Sequence, residues 1–133
     1  MHYLTTKIMF SAYHRLWNPE FSQEKNEEIF QECFRGHGHN YVLEVTIQGE
    51  VDPHTGMVMD IKRLKKFLMK EIHTLVDHKN LNSDVEFLKD IIPTAENMCT
   101  SLWKIISEKL KEAKLYRLKL FESENNIVEY FGN

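Results

Sequence analysis

An α+β fold, a four-stranded antiparallel sheet with two helices on one face, is predicted by three features of the sequence. Apolar residues alternate with polar ones in two segments near the N-terminus and two near the C-terminus, which is the period of strands. Between these segments the apolar period lengthens, twice, to that of helices. The resulting order ββααββ packs most simply as two hairpins covered by one helical layer. No repeat or low-complexity linker divides the 133 residues, and 1–133 reads as one domain.

Each element has its own signal. In residues 2–12, Leu4, Ile8, Phe10 and Ala12 share a face with Thr6, which predicts the first strand. Residues 18–32 are polar and charged, a surface excursion with a short helix near Glu24–Phe30. Residues 39–49 alternate again, with Tyr41, Leu43, Val45 and Ile47 on one face. The stretch "GEVDPHTG" reads as a turn, followed by a hairpin partner or extended run at Met57–Asp60. From Ile61 the spacing of Leu64, Phe67, Leu68, Ile72 and Leu75 is helical, with lysines on the outer face. Thr94, after Pro93, is suited to cap a second helix with Asn97 at its third position and the stripe Met98, Leu102, Ile105, Ile106 and Leu110. Tyr116, Leu118 and Leu120 then alternate with Arg117 and Lys119, and "IVEYF" follows a turn at "SENN". A sheet of this kind has open edges and a second face, which symmetric oligomerisation is one way to cover.

Composition narrows the function classes. Net charge is −3, from 17 Lys and Arg against 20 Asp and Glu, so no basic field points to nucleic acid. Two cysteines, Cys33 and Cys99, are too few for a disulfide framework and suit a reducing cytoplasm. The first residues lack the features of a signal peptide, and no apolar run approaches the ~18 residues of a membrane span.

The stretch "CFRGHGHNY" concentrates the chemistry. His37 and His39 are two apart, so on an extended segment both imidazoles point one way. His14 continues the Phe10–Ala12 face of the first strand and is the candidate third ligand. Three imidazoles with an open fourth position suit a catalytic zinc site. Alternatively, H-x-H is a chance pattern in a turn. His2 and His54 read as surface residues, and His73 as a solvated flank of the first long helix.

Cys33 is either a nucleophile or base, or a small residue before a turn. Cys99 lies on a helix stripe and reads as core. Asp77 can orient His78, but adjacent residues face each other only across a bend; otherwise the two form a polar junction. Glu122 ends an apolar strand face and either meets solvent or awaits a bidentate N–H partner such as a pterin edge. Glu96, at the second position of a capped helix, is explained by the helix dipole alone.

Six ordered stretches, "FSAYHRL", "CFRGHGHNY", "GEVDPHTGMVMD", "VDHKNL", "PTAEN" and "FESENNIVEYFG", resemble the tetrahydropterin synthase family from about Phe10 to Gly132. The resemblance implies the tunnelling fold, assembled as a homohexamer of two stacked trimers with sites between subunits. It implies Zn2+ on His14, His37 and His39, with Cys33 as the proton-abstracting base. Asp77 and His78 match the pair that activates that cysteine across a subunit boundary. Glu122 matches the carboxylate that anchors the pterin's amino-pyrimidine edge, and Thr94 and Glu96 match the helix start that lines the pocket. The implied substrate is 7,8-dihydroneopterin triphosphate, converted with loss of triphosphate and without a nicotinamide. Arg15, Lys7 and Lys79 are candidate phosphate contacts. The spacing C-x3-H-x-H is similar to the branch that makes 6-carboxytetrahydropterin with loss of acetaldehyde, for deazapurine nucleosides such as queuosine. The remaining motifs resemble the branch that makes 6-pyruvoyltetrahydropterin for biopterin-type cofactors. A non-catalytic pterin- or zinc-binding module is the alternative of another class, with a plain structural domain behind it.

Overall fold

The computed structural model describes all 133 residues. Strand β1 (His2–His14) pairs antiparallel with β2 (His37–Gly49) along its whole length. Helix α1 (Gln23–Phe30) lies in the excursion between them, and a 3-10 turn over Gln31–Phe34 leads into β2. Helix α2 runs over residues 61–76 and includes a π turn at Met69–His73. Then come β3 (Lys79–Asn80), α3 (Ala95–Lys109), β4 (Lys114–Phe121) and β5 (Ile127–Tyr130).

The α+β class and the antiparallel majority agree with the sequence reading, but the sheet has five strands, in the order β3-β1-β2-β4-β5. The extra strand, β3, runs parallel to β1 at Ala12 and Tyr13. Two residues carry no periodicity, so no pattern announced it. It is fixed by backbone bonds from the segment leaving α2: His78 N–H to Ser11 O at 2.6 Å and Leu81 N–H to Tyr13 O at 2.8 Å. The run Met57–Asp60 forms no strand; it ends in Asp60, whose side chain accepts the Lys62 N–H and caps α2.

The core lies between one face of the sheet and the two long helices. Ile8, Phe10 and Ala12 of β1 join Tyr41, Leu43, Val45 and Ile47 of β2. Leu64, Leu68, Ile72 and Val76 of α2 and Met98, Leu102 and Ile106 of α3 complete the same cluster. Ile61 and Leu75, expected on the core stripe, are instead 42% and 39% exposed. The π turn widens the helix and rotates its second half, so Val76 takes the place Leu75 would hold. On β4 a bulge opposite Thr46 and Ile47 shifts the alternation. Leu115 is therefore buried with Leu118, and Tyr116 turns outward to pack 4.5 Å from Tyr3, contrary to the expected inner position. In the excursion, buried Asn26 accepts the Asn18 N–H at 2.7 Å and returns a bond to Asn18 O at 2.9 Å.

These packing differences set a stability test. Leu102→Ala should cost about 2–5 kcal/mol in chemical denaturation, as buried leucines do. Leu75→Ala should stay within about 0.5 kcal/mol, as exposed positions do. Equal losses would contradict the rotated helix.

Candidate metal centre

The core-facing rows of three strands become polar at the same end of the sheet. On β1 the row Ile8, Phe10, Ala12 ends in His14, and on β2 the row Leu43, Tyr41 ends in His39 and His37. On β4 the row Leu118, Leu120 ends just beyond the strand in Glu122. Register brings the rows together, since His14 pairs with His37 and Ala12 with His39. One ligand nitrogen from each of His14, His37 and His39 lies within 4.8 Å of the others. Both expected histidine positions on β2 lie inside the strand, which begins two residues earlier than its sequence signal.

The surroundings prepare these rings for a cation. His14 is 1% exposed, and its Nδ1 donates to the Pro93 carbonyl at 2.8 Å. A carbonyl only accepts, so Nδ1 carries the proton and the Nε2 lone pair is left for a ligand bond. Nε2 of His14 and of His39 are buried without a hydrogen-bond partner. Burial holds both imidazoles below the ordinary 6.5, with the nearby Glu122 charge and the other imidazoles as lesser influences. Such rings stay neutral, which coordination requires. The Glu122 carboxylate faces the cluster, 3.6 Å from His39 Nε2 and 4.0 Å from His14 Nε2. Its backbone N–H donates to Asn126 O at 3.0 Å, which fixes it at the head of the β4–β5 turn. Three imidazoles with a neighbouring carboxylate are a donor set that fits a divalent transition metal such as zinc.

Of the two glycines in the motif, only Gly36 is demanded by geometry. Its φ is +88°, and a Cβ there would come within 1.9 Å of the Tyr13 hydroxyl. Gly38 lies in regular strand with room for a side chain.

The other expected residues divide. Cys33 is half-buried in the turn before β2, where its carbonyl accepts the Leu16 N–H at 2.9 Å. Its thiol is outside the histidine cluster. Asp77 and His78 do face each other, with Nε2 3.6 Å from Oδ2. The necessary bend is the left-handed backbone of His78, at φ 59°. Asp77 Oδ1 accepts the Ser11 N–H at 3.0 Å, and that bond is the main cause holding its carboxyl below the ordinary value. Within one chain this pair makes no contact with Cys33. Thr94 caps α3 by accepting the Asn97 N–H at 3.2 Å, and Glu96 stands exposed in the first turn. Burial pushes the Cys99 thiol up to about 12, in keeping with its place in the core.

Three participants escaped the sequence reading. The Pro93 carbonyl orients His14, and no side-chain pattern reports a carbonyl. Tyr41 places its hydroxyl 3.4 Å from His14 Nδ1, and its position in the His37–His39 row was available as a signal. His73, expected to be solvated, sits 3.6 Å from Asp77 Oδ2 at the readable i, i+4 spacing.

The fold and the site define a class: an α+β protein with a three-histidine cluster, able to hold a metal, closing one end of its core. The sequence profile described as 6-pyruvoyl tetrahydropterin synthase matches residues 3–133. The chain is 43% identical over 131 residues to the 6-pyruvoyl tetrahydrobiopterin synthase of Homo sapiens, spanning 97% of this chain and 90% of that one. A putative 6-carboxy-5,6,7,8-tetrahydropterin synthase of Archaeoglobus fulgidus is 35% identical over 99 residues, 74% of this chain and 78% of its own. Among solved structures, the 6-pyruvoyl tetrahydropterin synthase of Caenorhabditis elegans is similar at a TM-score of 0.87 and 40% identity, across 100% of this chain and 98% of that one. The chain belongs to the 6-pyruvoyl tetrahydropterin synthase family.

The centre makes a direct prediction. Elemental analysis after loading should find about one divalent metal per chain, as a three-imidazole site implies. His14→Ala should lose it, while His54→Ala, at an exposed turn, should keep it. Because His14 and His39 take up protons less readily than a free imidazole, the metal should be retained as pH falls through 6.5 and be released only further down. Release starting above 6.5 would contradict the site.

Proposed function

We propose that this chain is a zinc-dependent lyase of the 6-pyruvoyltetrahydropterin synthase type. Its substrate is 7,8-dihydroneopterin triphosphate, and its product a 6-substituted tetrahydropterin formed with loss of triphosphate. The observation that carries the reading is the triplet of imidazoles with two buried, unpartnered Nε2 atoms. The free cysteine Cys33 precedes His37 by four residues in the family's motif. His14, His37 and His39 would hold the zinc. Zinc bound there supplies a Lewis acid that polarises oxygens of the substrate side chain.

The chain's own residues supply the proton transfers. Cys33, as thiolate, takes a proton from a side-chain carbon of the substrate. His78 receives the proton of the Cys33 thiol, and Asp77 steadies the imidazolium that forms. Hydrogen is redistributed within the substrate: the ring gains what the side chain gives up, and triphosphate leaves with its bonding pair. No external reductant is needed. Glu122, which faces the cluster, belongs to the substrate-binding set as the carboxylate for the amino-pyrimidine edge. Thr94 and Glu96, at the start of α3, line the pocket.

The separation of Cys33 from Asp77 and His78 within one chain supports a site shared between copies. We assign the working form as a homohexamer, a dimer of trimers in the tunnelling-fold manner. Two free cysteines suit a reducing cytoplasm. The longer and higher identity to relatives named for the 6-pyruvoyl product favours that product over the 6-carboxy one.

Product analysis tests the reading. The zinc-loaded protein given 7,8-dihydroneopterin triphosphate should release triphosphate and form 6-pyruvoyltetrahydropterin. Acetaldehyde would reassign it to the carboxy branch, and absence of triphosphate release would remove the enzyme reading. Cys33→Ala should keep its zinc and lose about 10²–10⁴-fold in turnover, the usual worth of a positioned proton acceptor. An equal mixture of Cys33→Ala and His78→Ala subunits, refolded together, should regain about one quarter of the wild-type sites if each site draws on two copies.

A further inference from the structure

The Asp77 carboxylate lies between two imidazoles, only one of which belongs to the pair just described. Its Oδ2 is 3.6 Å from His78 Nε2 and equally 3.6 Å from His73 Nε2. Its Oδ1 is already engaged by the Ser11 N–H at 3.0 Å. Both rings therefore meet the same oxygen. At 3.6 Å each is in ion-pairing reach without a full hydrogen bond, so the two share one carboxylate charge.

His73 reaches this position through the irregularity in α2. Leu68, Ile72 and Val76 are spaced by four and are all fully buried. In an uninterrupted α-helix each four-residue step overshoots a full turn by about 40°, so such a row drifts around the axis. The π turn at Met69–His73 absorbs the drift and keeps the row on the core. His73 and Asp77, each one residue beyond a row member, are thereby aligned along the flank that meets β1. The His73 side chain is 23% exposed, against 81% for His78. A cleft of about 220 Å³ is lined by these two α2-flank residues together with Met9, Phe10 and Ser11 of β1 and Asn40 of β2, none of which is ionisable. His78, 3.6 Å from the same oxygen, is the other titratable ring in reach of Asp77.

We propose that His73 is a positioning residue for the Asp77–His78 pair: it divides the Asp77 carboxylate between two rings and so sets how firmly His78 is oriented and held as imidazolium. The inference rests on the reading of Asp77 and His78 as a proton-transfer pair. Its sign does not depend on the protonation of His73. As a neutral ring donating from Nε2 it draws negative charge away from His78. As imidazolium it adds a like charge nearby.

Histidine NMR titration of the zinc-loaded protein tests this. In His73→Leu the His78 resonance should titrate about 0.5 pH unit higher than in wild type, a shift discounted for exposure. The acid limb of kcat/KM should move the same way. His73→Gln, which keeps an N–H donor, should return most of the shift. In an Asp77→Asn background, His73→Leu should no longer move His78. An unmoved His78 in a folded, zinc-retaining His73→Leu protein overturns the inference, as does a shift that survives Asp77→Asn. If His73→Leu folds poorly, His73→Met reads the same titration with a side chain well suited to helices. His78→Ala separates the two levels. Wild-type turnover there sinks the proton-pair reading, whereas lost turnover together with an unmoved titration in His73→Leu sinks this inference alone.

Discussion

The register of β1 against β2 is the constraint on which the rest of this structure depends. His14 opposite His37 brings three imidazoles to one spot, and the same pairing places Phe10 opposite Tyr41 and Ile8 opposite Leu43 in the core. Side chains along a strand alternate, so a slip of one residue would turn His37 and His39 to the outer face. It would also turn Tyr41, Leu43, Val45 and Ile47 out of the core. Burying each such side chain stabilises the fold by about 1.5–3 kcal/mol. The hydrophobic effect thus aims the three imidazoles, although they contribute nothing to it. A misplaced imidazole on β2 would require a core error.

The cluster itself works against stability. Nε2 of His14 and Nε2 of His39 are buried without partners, and such atoms cost about 1–3 kcal/mol each. Burial also disfavours protonation, which would otherwise give them a charge to pair with Glu122. The arrangement is therefore poor as an apolar core and good as a cation site. Two such atoms within one cluster break the rule that buried polar atoms are paired, and breaches of this kind are expected at functional sites.

Legibility in the sequence followed the same division. Long periodic signals gave β1, β2 and α3 to within a residue or two, and the His14, His37, His39 triplet came from alternation alone. What escaped was set by the tertiary structure. β3 is two residues held by bonds from His78 and Leu81 to β1. The β4 bulge moved Tyr116 to the outer face, and the π turn traded Leu75 for Val76. The bend that lets Asp77 meet His78 is a single left-handed residue without the glycine that would have announced it. Pro93 acts through its carbonyl, which every residue has. Periodicity reports which face a side chain takes only while the backbone remains regular, and these residues lie where it does not.

Two of these irregularities, β3 and the left-handed bend at His78, lie along one edge of the sheet. β3 covers β1 only at Ala12 and Tyr13, leaving the ladder of β1 toward its N-terminus open on that side. An open edge of this length invites another strand. The Asp77–His78 pair sits beside this edge, clamped to it by the Ser11 backbone on both Asp77 Oδ1 and His78 N–H. Cys33 precedes β2, on the opposite side of β1 in the sheet order. Under the proposed shared site, a neighbouring copy has to supply the Cys33 that this pair lacks within its own chain. Under the proposed function, closing the sheet and completing the proton path are then one event. On that proposal, the edge that is a liability in an isolated chain would become the means by which catalysis waits for assembly.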